Sequence, residues 1–155
     1  MSLVPPHIKN LSTYKSGKPI DEVKREYGLT RVIKLASNEN PMGLSNAVSH
    51  AVKNSMAESY RYPDTSGYEL RSLLADMFRL KIENVVLGAG SEGIMSTIMR
   101  TFLSDSDEII AAKNSFIGFK VLANASGFPT NWIPMKDYRY DLHSMADAVN
   151  ENTKI

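Results

Sequence analysis

VVLGAGSEG, residues 85–93, places a short apolar run directly before a glycine-rich turn. A helical pattern follows, with Ile94, Ile98, Met99 and Phe102 on one side of the helix. Glycines let the backbone curl, and the free amides of a first helical turn point towards an anion. The stretch therefore predicts a strand, a turn and a helix N-terminus that together bind a phosphate group.

Three glycines of this stretch also match G-x-G-x-x-G, the dinucleotide-binding fingerprint. That fingerprint requires an acidic residue about 20 positions further on, at the end of the next strand. The next predicted strand, 109–112, is followed by Lys113 and Asn114. The dinucleotide interpretation is therefore weak, and a tight turn without any ligand is a further alternative.

The composition limits the classes of protein to consider. The chain has 155 residues, 43% hydrophobic and 23% charged, which is enough for one domain with a buried core. A net charge of +1 provides no basic field for nucleic acid, and no apolar run approaches the length of a membrane span. The absence of cysteine excludes disulfides and indicates a cytoplasmic protein. The three histidines lack metal-ligand spacing, so we expect no metal site.

Helical and strand patterns alternate along the chain. Predicted helices cover about 19–27, 45–56, 70–78, 92–103, 116–126 and 141–149, and predicted strands cover 32–35, 85–87, 109–112 and 131–134. Residues 1–18 are expected to form an irregular arm. From residue 84 onward, the β-α-β-α-β-α order predicts an α/β fold, a mostly parallel sheet with helices on both faces.

Two further expectations concern packing and the end of the sequence. Met56, Met77, Met95 and Met99 are expected to fill the core, as is Phe119. Residues 154–155 resemble the first two residues of a new strand, so we expect a truncated domain with an unpaired sheet edge.

Four motifs follow one another along the chain: YKSGKPIDEVKREYG at 14–28, LASNENPMG at 35–43, YRYPD at 60–64 and GAGSE at 88–92. In this order and spacing they resemble histidinol-phosphate aminotransferases, which have the aspartate-aminotransferase fold. The resemblance covers nearly all 155 residues.

The resemblance implies two domains. Residues 1–44 would be an N-terminal arm and a segment of the small domain. Residues 45–155 would be the first part of the large domain, which binds pyridoxal 5'-phosphate (PLP).

The resemblance also implies a cofactor site. Gly90, Ser91 and Glu92 would hold the phosphate of PLP, and Phe116 would stack on its ring, where the family often has tyrosine. A phenyl ring stacks as well but cannot donate a hydrogen bond to the cofactor. The family usually has Asp-Glu after the serine, whereas this chain has Glu92-Gly93. This departure preserves the amides and leaves the role of the carboxylate open.

The partners implied by the resemblance are amino-acid and keto-acid substrates and a second subunit. Tyr62 would reach the cofactor phosphate of the partner in a homodimer, although a loop tyrosine without a ligand is the alternative. Residues expected to contact substrate are Tyr14, Asn38, Glu39 and Asn40. Without the resemblance, the three residues at 38–40 form only a polar turn before a proline.

Transamination also needs a lysine that forms a Schiff base with PLP, a carboxylate at the ring nitrogen and an arginine for the substrate carboxylate. In the family these residues lie beyond the position of Ile155, and neither Lys113 nor Lys120 matches the lysine. We therefore expect residues 1–155 alone to be inactive. The alternatives are an aminotransferase for aromatic amino acids, a nucleotide-binding module and a non-catalytic truncated homologue.

Overall fold

The computed structural model describes residues 2–12 and 16–155. It contains two compact units, one built from residues 2–12 with 74–155 and the other from residues 16–73. The predicted domain boundary after residue 44 falls inside the second unit and coincides with neither end of it. The assignment of 1–44 and 45–155 to two domains therefore stays a prediction.

Seven α-helices and two strands are formed within the described residues. In chain order they are α1 (Pro6–Lys9), α2 (Ile20–Tyr27), α3 (Asn46–Ser55), α4 (Tyr68–Phe78), α5 (Gly90–Phe102), β1 (Ile109–Ala112), α6 (Ile117–Ser126), β2 (Thr130–Ile133) and α7 (Leu142–Asp147). Two 3-10 turns, Met56–Glu58 and Ile82–Asn84, follow α3 and α4. Every predicted helix is present, with ends shifted by a few residues.

The sheet is parallel and is built around β1. Strand β2 pairs with β1 in the register Ile109↔Thr130 to Ala112↔Ile133, and α6 forms the connection between the two strands. The opposite edge of β1 is hydrogen-bonded by residues 152–155, for example from the Ile110 amide to the Ile155 carbonyl oxygen at 2.8 Å. Residues 154–155 therefore lie along the edge of β1, although they belong to no strand. The predicted α/β class is confirmed.

Two predicted strands are wrong. Within the described residues, segments 32–35 and 85–87 belong to no strand and run as connections between helices. A short apolar run becomes a strand only when its backbone meets the hydrogen-bonding edge of a neighbouring strand, and no such ladder is formed at either place. Apolar composition alone could not distinguish these segments from β1.

The core of the first unit is a cluster that joins α5, β1 and α6. Its buried members are Met99, Leu103, Ile109, Ala111 and Ala123. Partly buried side chains surround it, including Phe119 and Trp132, whose rings meet edge to face with centroids 6.4 Å apart. The prediction of a core role for Phe119 is confirmed.

The methionine prediction is correct for only part of the set. Met99 is fully buried and Met95 is partly buried, whereas Met56 and Met77 are exposed. Helical spacing predicted only that Met56 and Met77 lie on apolar stripes. It could not specify whether another element covers those stripes.

Local signals at helix ends are confirmed. The Ser45 hydroxyl accepts a hydrogen bond from the Val48 amide at 3.3 Å and caps α3. Gly28 and Gly127, with φ of 64° and 79°, end α2 and α6 in left-handed conformations. The arm differs from its predicted irregular form because residues 6–9 make the short helix α1, with proline at its first position. No helix in the described ranges is both long and apolar enough to cross a membrane.

Candidate functional site

The glycine-rich turn enters α5 through a left-handed residue. Gly90 has φ +67°, and its amide donates to the Gly88 carbonyl oxygen at 2.8 Å. A Cβ atom on Gly88 would lie only 2.8 Å from Cδ1 of Ile94, so the turn folds closely against its own helix. Gly90 thus provides the left-handed conformation of the turn, and Gly88 allows the turn to approach Ile94 closely. A direct contact from Gly90 to a ligand stays a prediction.

Two backbone amides remain available at the start of α5. Among the described residues, the amides of Ser91 and Glu92 have no acceptor, whereas the Gly93 amide donates to the Ala89 carbonyl oxygen at 3.3 Å. Ala89 precedes the helix and has no side chain that could cap it. Because α5 is 13 residues long, its dipole adds partial positive charge at these exposed amides. The arrangement is suited to an anion.

Phe116 lies at the start of α6, beside a cavity that also reaches Glu92. The cavity has a volume of about 380 Å³, and the rest of its lining is Ile117, Gly118, Val121, Leu122 and Ala125. The Phe116 ring is 59% exposed, and α5 packs against α6. The structure therefore brings together Glu92, in the first turn of α5, and the aromatic ring at the start of α6.

A larger cavity, of about 470 Å³, lies around residues 136–143 and has a different character. Asp141 accepts hydrogen bonds from the Ser144 amide at 3.1 Å and the Ser144 hydroxyl at 2.9 Å. These bonds, with smaller contributions from Lys136 and His143, hold the pKa of Asp141 below its ordinary value. The carboxylate is engaged in capping α7, and we assign no ligand to this cavity.

The predicted substrate turn belongs to the second unit, residues 16–73. Ser37 and Asn38 both adopt left-handed conformations, with φ of 71° and 51°. The Asn40 side chain accepts from the Met42 amide at 3.0 Å and donates to the Gly43 carbonyl oxygen at 3.2 Å. Asn40 therefore shapes the turn through its side chain.

The side chain of Glu39, in the same turn, is held by an ion pair. Lys34 Nζ lies 2.6 Å from Glu39 Oε1, and the lysine side chain is only 20% exposed. The sequence analysis missed this pair, although opposite charges five positions apart across a turn were visible. Within the described part of the chain, the Asn38 side chain has no partner. Of the three turn residues 38–40, Asn38 is therefore the one whose side chain is free to contact a ligand.

Tyr62 is fully exposed on the loop before α4. The loop is anchored two residues later by Asp64, which accepts from the Ser66 hydroxyl at 2.7 Å, the Tyr68 amide at 3.0 Å and the Ser66 amide at 2.9 Å. These hydrogen bonds, that of the Ser66 hydroxyl above all, lower the pKa of Asp64. Tyr14, the remaining predicted residue, lies outside the described residues.

Comparisons with known proteins identify the family of this chain. The model of the family described as aminotransferase class I and II matches residues 30–155. Histidinol-phosphate aminotransferase 1 of Idiomarina loihiensis is 41% identical, with 100% of this chain and 42% of that protein covered. The protein of the same name from Mannheimia succiniciproducens is 38% identical, with 96% of this chain and 40% of that protein covered. The chain thus spans less than half the length of either relative.

A solved structure supports the fold independently. The histidinol-phosphate aminotransferase from Sinorhizobium meliloti, in complex with pyridoxal-5'-phosphate, has a TM-score of 0.81 at 20% identity. The similarity covers 98% of this chain and 40% of that chain. Because the family match extends over most of the sequence and the fold agrees with it, the chain belongs to the aminotransferase class I and II family.

Proposed function

We propose that the complete protein is a PLP-dependent aminotransferase of histidine biosynthesis. It would interconvert histidinol phosphate and imidazole-acetol phosphate, with glutamate and 2-oxoglutarate as the other pair. The observation that carries the proposal is the cavity lined by Phe116 and by Glu92, whose amide is free at the start of α5, in a chain of this family. The relatives named as histidinol-phosphate aminotransferases support the choice of substrate.

The residues around the cavity fit PLP. A phosphate needs donors and positive potential, which the Ser91 and Glu92 amides, the Ser91 hydroxyl and the α5 dipole supply. An aromatic ring needs an apolar surface on which to stack, and the exposed Phe116 side chain offers one. Bound PLP supplies the electron sink through which an amino group is exchanged.

Each of these residues has a separate task in the proposal. Ser91 and Glu92 hold the phosphate and so fix the position of the cofactor in the cavity. Phe116 covers one face of the cofactor ring and excludes water from it. Glu92 also lines this cavity, and its carboxylate would face solvent and not the phosphate, because two neighbouring negative charges repel each other.

The lysine that reacts with the cofactor is proposed to lie beyond residue 155, so residues 1–155 alone would be inactive. Lys120, one of the two lysines nearest the glycine turn, has its Nζ 5.6 Å from the centroid of the Trp132 ring. This cation–π contact directs its side chain to the core cluster. The absence of cysteine favours the cytoplasm as the location of the enzyme.

The substrate end of the site is proposed to include the turn at 38–40 and Tyr14. Asn38 would contact the substrate directly because its side chain is free. Glu39 and Asn40 would keep the shape of the turn through Lys34 and the 42–43 backbone.

The proposed activity is tested by transamination assays on the complete protein with 2-oxoglutarate as acceptor. We expect kcat/KM for histidinol phosphate to exceed that for phenylalanine or tyrosine by at least tenfold, on the order of the discrimination one charged contact provides. Equal or reversed preference would assign the protein to the aromatic aminotransferases. No turnover with any amino acid, despite bound PLP, would favour the non-catalytic homologue.

We further propose that the enzyme is a homodimer in which Tyr62 serves the cofactor phosphate of the partner. Tyr62 is fully exposed, and α3 carries an apolar stripe of Val48 and Val52 that is about half exposed. Exposed apolar stripes and exposed tyrosines are both common at subunit interfaces.

Mixed dimers test the role of Tyr62. One subunit carries Tyr62→Phe, and the other lacks the reacting lysine. If Tyr62 acts across the interface, both changes fall in one site, and the mixed dimer should keep one intact site. If Tyr62 acts within its own subunit, each site carries one change. A purified mixed dimer without any fully active site would therefore contradict the proposal.

A further inference from the structure

We propose that Gly118 positions the Phe116 ring for stacking, because the ring occupies the space that any side chain at position 118 would need. An ideal Cβ on Gly118 would lie 2.5 Å from Cε1 and 2.8 Å from Cζ of Phe116. Real Cβ atoms essentially never approach another atom closer than 3.0 Å. The inference rests on the proposed function, in which Phe116 stacks on PLP.

The usual reason for a glycine does not apply at this position. Gly118 lies in the first turn of α6, and its φ is outside the left-handed region that glycine serves at Gly28, Gly90 and Gly127. A helix otherwise disfavours glycine relative to alanine. The three atoms nearest to the missing Cβ all belong to the Phe116 ring, so the ring is what the missing side chain accommodates.

The Phe116 ring lies beside Gly118 at the cavity proposed for the cofactor. Phe116, Gly118 and Glu92 line one cavity, and the ring rests beside the backbone of Gly118 within it. Because the ring is 59% exposed, it can rotate away at little cost when its place is filled. A Cβ at position 118 should therefore move the ring without disturbing the core.

This arrangement predicts that a side chain at position 118 has different effects on the stability of the apo protein and on its affinity for PLP. In Gly118→Ala the apo protein should be as stable as the original or more stable, since alanine favours the helix. PLP affinity should fall by roughly two- to tenfold, the equivalent of a displaced aromatic pair. A glycine with a purely structural role would give a less stable protein.

The test uses the complete protein in four variant forms: Gly118→Ala, Gly118→Ser, Phe116→Ala and the double variant Gly118→Ala/Phe116→Ala. PLP dissociation constants are measured by titrating the apo protein and following cofactor absorbance, and the thermal unfolding temperature is measured without PLP. Gly118→Ser provides a second side chain with the same Cβ. We expect all three single variants to bind PLP more weakly and the double variant to match Phe116→Ala alone.

Three outcomes would overturn the inference. The first is a departure from the expected pattern of Gly118→Ala. Either this change further weakens PLP binding in the Phe116→Ala background, or the apo Gly118→Ala protein unfolds at a lower temperature than the original. The second is unchanged affinity in Gly118→Ala while Phe116→Ala weakens binding, which would leave the proposed function intact. The third is unchanged affinity in Phe116→Ala, which would also remove stacking from the proposed function.

Discussion

Replacing Ser91 with alanine is expected to weaken PLP binding by about 1 to 3 kcal/mol, the range for a hydrogen bond to a charged group. This free energy corresponds to an increase of about five- to 150-fold in the dissociation constant. The loss should be this large because the Ser91 hydroxyl and the amides of Ser91 and Glu92 are the free donors at the start of α5 within the described residues. Titration of the apo protein with PLP, followed by absorbance, measures the change.

Ser96→Ala is the matched control for this experiment. Ser96 lies in the same helix but more than one turn beyond the free amides, so its replacement should leave PLP affinity unchanged. Free inorganic phosphate should compete with PLP in the original protein and compete less well in Ser91→Ala. Equal PLP affinity in the original protein and Ser91→Ala would place the phosphate elsewhere.

Replacing Ile109 with alanine is expected to lower the free energy of unfolding by about 2 to 5 kcal/mol. Ile109 is fully buried in the cluster that joins α5, β1 and α6. Its removal would leave a cavity in a region whose neighbours are held by the hydrogen bonds of a strand and two helices. Urea unfolding of the complete apo protein, followed by circular dichroism, measures the change.

The neighbouring Ile110 supplies the control, because successive residues of a strand face opposite sides of the sheet. Ile110 is only partly buried, so Ile110→Ala should cost less than half as much as Ile109→Ala. Equal losses in the two variants would show that the face of β1 carrying Ile109 and Ala111 is not the main core of this unit. An unchanged free energy of unfolding in Ile109→Ala would also contradict the prediction, even if that variant bound PLP more weakly.

Several parts of the candidate site were predictable because their signals are local. The free amides of α5 follow from a glycine turn placed directly before a helical pattern, all within residues 88–93. The roles of Phe116 and Tyr62 came instead from a family resemblance and stay proposals. Gly118 and Lys34 were missed, because each meets a neighbouring side chain whose orientation no local pattern specifies.

The sequence by itself determined the order of helices α2 to α7, the cap at Ser45, the helix-ending glycines at 28 and 127 and the strands at 109–112 and near 131. Each of these depends on interactions within a few residues, which composition and spacing record directly. Only the tertiary structure decided that 32–35 and 85–87 form no strands and that Met56 is exposed while Met99 is buried. A β ladder and a buried face both need a partner distant in sequence, and a local pattern does not contain that partner.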